Sequence, residues 1–187
     1  MNTKETAAVM DILSAAYPQF YRGMGPAEKK AAVDLWAGMF KDDPLQIVLV
    51  AVKRLIATDT KGFPPPIGAV KEQIWRIQNP RQLTEQEAWQ MVARAVNTAD
   101  AEKAFAALPP EVRQIVGSPV QLTQWGRMDE TAFQSVVASH IQRSFRAKME
   151  NEKEQAKLPP DVRQMELDAV QRMLLPGIAP GPGLQAG

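Results

Sequence analysis

Along most of this chain, apolar residues recur every three or four positions, and short breaks rich in proline, glycine and asparagine interrupt the pattern. That spacing marks helices with one buried side. Residues 58–77, TDTKGFPPPIGAVKEQIWRI, organise what lies around them. A residue before proline is pushed out of the α region, so Phe63, Pro64 and Pro65 are expected to be extended. Pro66 then suits the first helical position, where its missing N–H costs nothing. From there Ile67, Val70, Ile74 and Ile77 define an apolar face, and the stiff corner sets the angle between the helices on either side.

Upstream, Thr3 is expected to cap a first helix with Val9, Ile12, Leu13 and Ala16 on its stripe, ending before Pro18. Phe20 and Tyr21 read as a loop closed by Gly23, Gly25 and Pro26. A second helix starts near Pro26 and buries Ala32, Leu35, Trp36, Met39 and Phe40. Asp43 and Pro44 read as N-cap and first residue of a third helix. Its broad stripe of Leu45, Val48, Ala51, Val52, Leu55 and Ile56 predicts a central position. Asn79-Pro80 stops the fourth helix, so residues 1–80 form a small helical domain.

Residues 81–156 form a second helical region. Thr84 and Glu87 make a capping box ahead of Ala88, Trp89, Val92, Ala93 and Val96. Short helices are expected at residues 101–108 and 110–116, then a break at Gly117, Ser118 and Pro119, and irregular chain or a short helix at residues 121–128 around Trp125. Asp129 caps the longest helix, with Phe133, Val136, Val137, His140, Ile141, Phe145 and Met149 inward; beyond Met149 the pattern turns solvated on all sides. LPPEVRQIV at residues 108–116 recurs as LPPDVRQME at 158–166. This is either a reused helix start or a sign that the second copy is a detachable helix seeking a groove. In residues 157–175, Val162, Met165, Ala169, Val170, Met173 and Leu174 lie on one broad side, interrupted by Arg163 and Glu166. Residues 176–187, rich in proline and glycine, are expected to be disordered.

Composition narrows the function. The 187 residues are 45% apolar, with net charge +1 and no cysteine. Good helix formers abound, so the fold class is all-α. The missing cysteine removes disulfides and thiolate metal sites. No apolar run approaches the roughly 18 residues of a membrane span, and the N-terminus lacks the apolar core of a signal peptide. GFPPPIGAVK imitates a phosphate loop, but prolines stand where backbone N–H donors are needed. His140 is the only histidine. No catalytic, cofactor or metal site is expected. Lys71, Arg76 and Arg81, with Arg143 and Arg146, are candidate nucleic-acid contacts, and Trp75 could stack on a single strand. Against that stands a solvated face and a net charge near zero.

The order of motifs carries a resemblance. YPQF, then LWAGMFKDDPLQIVLVAVKRLIATDTKGFPPPIGAVKEQI, resembles the phage replicative-helicase loader/inhibitor family; its most specific part runs from Lys53 to Val70. LTEQEAWQMVARAV, LPPEVRQIVG and FQSVVASHIQRSFRAKMENEKEQ are similar to the rest of such proteins. The resemblance implies a non-enzymatic replication accessory protein in the cytoplasm of a bacterial host. It would bind a DnaB-type hexameric helicase, hold it inactive and deliver it to an origin through an initiator protein. The helicase-binding residues would be Val162, Met165, Ala169, Val170, Met173 and Leu174, and the N-terminal domain would meet the initiator. Single-stranded DNA would be at most a weak partner. The alternatives are a DNA-binding replication protein and a helical phage assembly chaperone.

Overall fold

Each stretch with a three-to-four-residue apolar repeat is helical in the computed structural model, which describes residues 1–174. Leu175 and the expected disordered tail at residues 176–187 lie outside the described residues. Every regular element among the described residues is helical. Contacts divide the chain into two compact units: Met1–Ile74 together with the described residues from Gln155 onward, and Trp75–Glu154.

The first unit begins with α1 (Thr3–Ala16), α2 (Pro18–Tyr21), α3 (Pro26–Met39), α4 (Leu45–Thr58) and most of α5 (Ile67–Gln78). Asn2, not Thr3, caps α1: its Oδ1 accepts from the Glu5 N–H at 2.9 Å, and the Glu5 carboxylate accepts from the Asn2 N–H at 2.8 Å. The reciprocal pair needs an acid three residues after the cap, and Glu5 meets that condition only for Asn2. Phe20 and Tyr21, expected in a loop, sit in α2, where Pro18 occupies the first position. Pro44 is extended, with φ −63° and ψ 133°, and precedes α4 instead of opening it. Asp43 is therefore no cap. Pro66 likewise stands just before α5, its carbonyl accepting from the Ala69 and Val70 N–H groups.

α1 packs against α3 and α4. Val9, Leu13, Phe40, Val48, Val52 and Val70 are sealed from solvent in the core. Trp36 and Phe40, with ring centroids 5.1 Å apart, set the buried side of α3. Leu35 lies about 100° round the helix from Trp36 and is 58% exposed, so its expected burial is corrected.

The second unit holds α6 (Glu85–Val96), α7 (Ala101–Ala107), α8 (Pro110–Val116), α9 (Pro119–Trp125), α10 (Glu130–Ala132), a π-helical turn (Phe133–Val137) and most of α11 (Ala138–Lys157). The Thr84–Glu87 capping box forms as expected, and Asp129 accepts from the N–H groups of Thr131 and Ala132. α6 packs on α7, α8 and α9 around Trp89, Val92, Val112 and Leu122.

The π turn has a cause in the sequence. The buried residues Phe133, Val137, Ile141 and Phe145 follow one another at intervals of four. In an α-helix four residues turn about 400°, so the seam would drift by about 120° between Phe133 and Phe145. One extra residue absorbed in a π turn removes about 100° of that drift. The same insertion turns Val136 outward, to 63% exposed, and leaves His140 exposed. Both were expected to face inward, and the plain α register behind that expectation is what the π turn breaks.

The last described element is α12 (Pro160–Leu174). Just before it, Lys157 pairs with Glu72 at 2.6 Å, and Pro159 is buried. No residue of α12 itself is buried.

Candidate interaction surfaces

The proline corner is tied down from several directions. Thr58 closes α4, its hydroxyl donating to the Arg54 carbonyl at 2.9 Å. Asp59 then turns the chain: its two carboxylate oxygens accept from the backbone N–H groups of Lys61 and Gly62, each at 2.9 Å. Gly62 has φ +73°, a left-handed conformation that strains other residues. Its carbonyl accepts from Gln19 Nε2 at 3.1 Å, which pins α2 to the corner. Phe63 meets Phe20 with centroids 5.2 Å apart, yet these rings are 62% and 41% exposed.

An open cleft of about 380 Å³ is lined by Phe63 together with Tyr17, Leu55, Asp59, Pro64 and Ala69. Tyr17 is 4% exposed. Its hydroxyl makes no hydrogen bond of standard geometry, although Asp59 is its neighbour. Burial, then the Asp59 carboxylate, raises the Tyr17 phenol above its ordinary value. The Lys61 N–H, aided by other donors, lowers the Asp59 carboxyl below its ordinary range.

The second surface is α12. Met165, Val170 and Met173 are 68%, 52% and 80% exposed, and Leu174 and Ala169 are exposed beside them, with Val162 half-buried at the start. At about 100° per residue these six side chains cover one side of the helix. Arg163 donates back to the Leu158 carbonyl at 3.1 Å and so braces the first turn.

The residues expected to contact nucleic acid have different surroundings. Lys71 is 7% exposed; its ammonium lies 2.6 Å from Asp43 and 4.9 Å from the centre of the Phe40 ring. It is a core cation and is removed from the set. Arg146 forms a two-pronged bond with Glu85, at 2.6 and 2.7 Å. Arg143 is exposed and donates to the Ser139 carbonyl of its own helix. Arg76 and Arg81 are exposed at and beyond the end of α5. Among the described residues, no group of three His, Cys, Asp or Glu could hold a metal ion, and no helix is long and apolar enough to cross a membrane.

The Tyr17–Asp59 cleft escaped the reading by periodicity. A signal for half of it was present, since Asp followed by Gly three residues later is turn chemistry. Nothing local announces that Tyr17, next to Pro18, is buried.

Residues 1–71 match a family model, the N-terminal domain of the phage helicase loader/inhibitor gene 39 protein. The matched residues contain the proline corner and its cleft, and α12 lies beyond them. No curated protein and no solved structure gives a significant match.

Proposed function

From the loader/inhibitor domain at residues 1–71, we propose that this chain is a non-enzymatic accessory protein of phage DNA replication. It binds a DnaB-type hexameric helicase, holds it inactive, and delivers it to an origin through an initiator protein. The division of labour follows the two surfaces. Val162, Met165, Ala169, Val170, Met173 and Leu174 on α12 bind the helicase, and the N-terminal unit meets the initiator. The observation that carries this reading is an amphipathic helix with no buried residue, in the same chain as a loader/inhibitor domain. A helix laid into a groove by its apolar side is a recurring mode of recognition, and methionines suit it because they adapt their shape. Contact of this kind leaves the chemistry to the motor.

Co-purification of the full chain with the cognate hexameric helicase, followed by mass measurement, tests the proposal. Combined replacement of Met165, Val170 and Met173 by alanine should leave the fold intact, because these side chains are exposed. Losing a central apolar contact costs about 1.4 kcal/mol or more, or about tenfold in affinity, so the triple variant should bind far more weakly. An unchanged complex would discard α12 as the helicase-binding element, and no complex with the full chain would discard the loader reading.

A further inference from the structure

One charged side chain stands in the middle of the apolar side of α12. With Val162 as zero and about 100° per residue, the six apolar residues spread from about −60° at Met165 to about +120° at Leu174, and Glu166 falls at about +40°, close to their midline. Val162, Ala169 and Val170 are its neighbours one turn away. Glu166 is exposed, and its carboxylate accepts from Gln155 Nε2 at 3.2 Å. Among the described residues no ammonium or guanidinium forms an ion pair with it. Arg163, three residues earlier, turns its guanidinium to the Leu158 carbonyl at 3.1 Å. The matching position of the first nonapeptide is Val116, which is 4% exposed. An apolar residue is thus compatible with this helix start, and α12 carries a carboxylate there instead.

We infer that the helicase groove that takes α12 carries a basic side chain, arginine or lysine, near its middle, and that this cation meets Glu166 when the helix docks. The inference rests on α12 as the helicase-binding element. A groove that covers Met165 through Leu174 also covers the carboxylate between them. Gln155 supplies one neutral donor, which leaves the negative charge uncompensated. Burying that charge against apolar groups alone is strongly unfavourable. A cation with good hydrogen-bond geometry offsets the lost hydration. A groove that is apolar throughout therefore rejects this helix, and one with an acid at that place rejects it further. The pair also fixes how far along the groove the helix sits, because a slip of one turn moves the carboxylate about 5.4 Å from its cation. Single buried polar residues set register in coiled coils in the same way.

The test is calorimetric titration of the full chain with its cognate hexameric helicase, comparing the wild type with Glu166→Gln, Glu166→Leu and Asp168→Asn. Glu166→Gln leaves the partner's cation buried without its counter-charge and should weaken binding by about 30-fold or more. Glu166→Leu should weaken it at least as much, although it makes the face more apolar. Asp168→Asn removes the same charge from the opposite side of α12, at about 240°, and should change affinity by at most about fivefold. Gln and Leu are good helix formers and position 166 is exposed, so circular dichroism should show the wild-type helix content. Equal or tighter binding of Glu166→Leu would show an apolar groove and overturn the inference. A loss in Asp168→Asn as large as in Glu166→Gln would overturn it too, because diffuse attraction would then explain both. Should Glu166→Leu self-associate, which mass measurement shows, the comparison of Glu166→Gln with Asp168→Asn decides. No complex with the wild-type chain overturns the loader reading and this inference with it; a wild-type complex that Glu166→Gln leaves unchanged overturns this inference alone.

Discussion

Deleting Val136 tests the account of the long helix directly. The π turn is read as the device that keeps an every-fourth-residue seam on one side. If that is right, a chain one residue shorter needs no such device. After the deletion, Val137, Ile141 and Phe145 stand three, seven and eleven residues from Phe133. In an ordinary α-helix they fall at about −60°, −20° and +20° from it, within one apolar stripe. The deleted side chain is 63% exposed, so little burial is lost, and the change in stability should stay within about 1 kcal/mol. Inserting an alanine after Val136 does the opposite. It turns everything beyond by about 100°, pulling Ile141 and Phe145 out of a core where they are 0% and 2% exposed. Each buried side chain contributes about 1.5–3 kcal/mol, so the insertion should cost about 3–6 kcal/mol. Urea denaturation followed by tryptophan fluorescence reads the effect, because Trp89 lies 5.0 Å from the Phe133 ring. A deletion that unfolds the second unit as severely as the insertion would refute the register argument.

Three further perturbations probe the first unit. Lys71→Met leaves the Asp43 carboxylate half-buried without its cation and should cost about 3 kcal/mol, most of it regained in Asp43→Asn/Lys71→Met; hydrogen exchange of the α4 amides reads both. Val52→Asp places an unpaired charge where the side chain is 0% exposed, so cooperative melting of this unit should disappear; a preserved transition would show that α4 is misplaced. Burial raises the Tyr17 phenol, as does Asp59, and burial raises that of Tyr21. The folded state thus holds these protons more tightly, so their contribution is complete below the ordinary phenol value of about 10 and is lost as pH rises through the raised values. Thermal melts from neutral to alkaline pH should show that decline, and Tyr17→Phe should flatten its share of it.

Periodicity made the helices legible, because an apolar stripe is a property of a short window. Pro26, Thr84, Asp129 and the bounds of α8 all follow from local rules. What failed was set by partners far away in the chain or by a single extra residue. Lys71 looked like a surface cation because its partner, Asp43, stands 28 residues upstream. Leu35 shares helical spacing with Ala32, Trp36, Met39 and Phe40, yet only Trp36 and Phe40 among the five are buried. Val136 and His140 fit an α register that the every-fourth spacing of Phe133, Val137, Ile141 and Phe145 already contradicted. Half the cleft was visible in the turn chemistry of Asp59 and Gly62; the burial of Tyr17 depends on how α4 and the corner close over it.

The repeated nonapeptide shows how two like helix starts come to be one buried and one exposed. Both copies begin with leucine and two prolines and place an acid in the first turn, so both start a helix equally well. In the first copy Leu108, Val112 and Val116 are 6%, 0% and 4% exposed, and α8 closes the core of the second unit. In the second copy Val162 is half-buried, and Glu166 stands where Val116 stands in the first. A carboxylate there forfeits the third core contact, because burying it unpaired would cost more than the valine contributes. The helix still forms, and its apolar residues continue past the repeat through Val170 to Met173. A row of large exposed apolar side chains is the kind of surface that interaction sites present, and this is the surface that the proposed function uses. The difference between the buried helix and the exposed one lies in one position of the repeat, Val116 against Glu166, and the docking role given to α12 remains the proposal that the helicase complex tests.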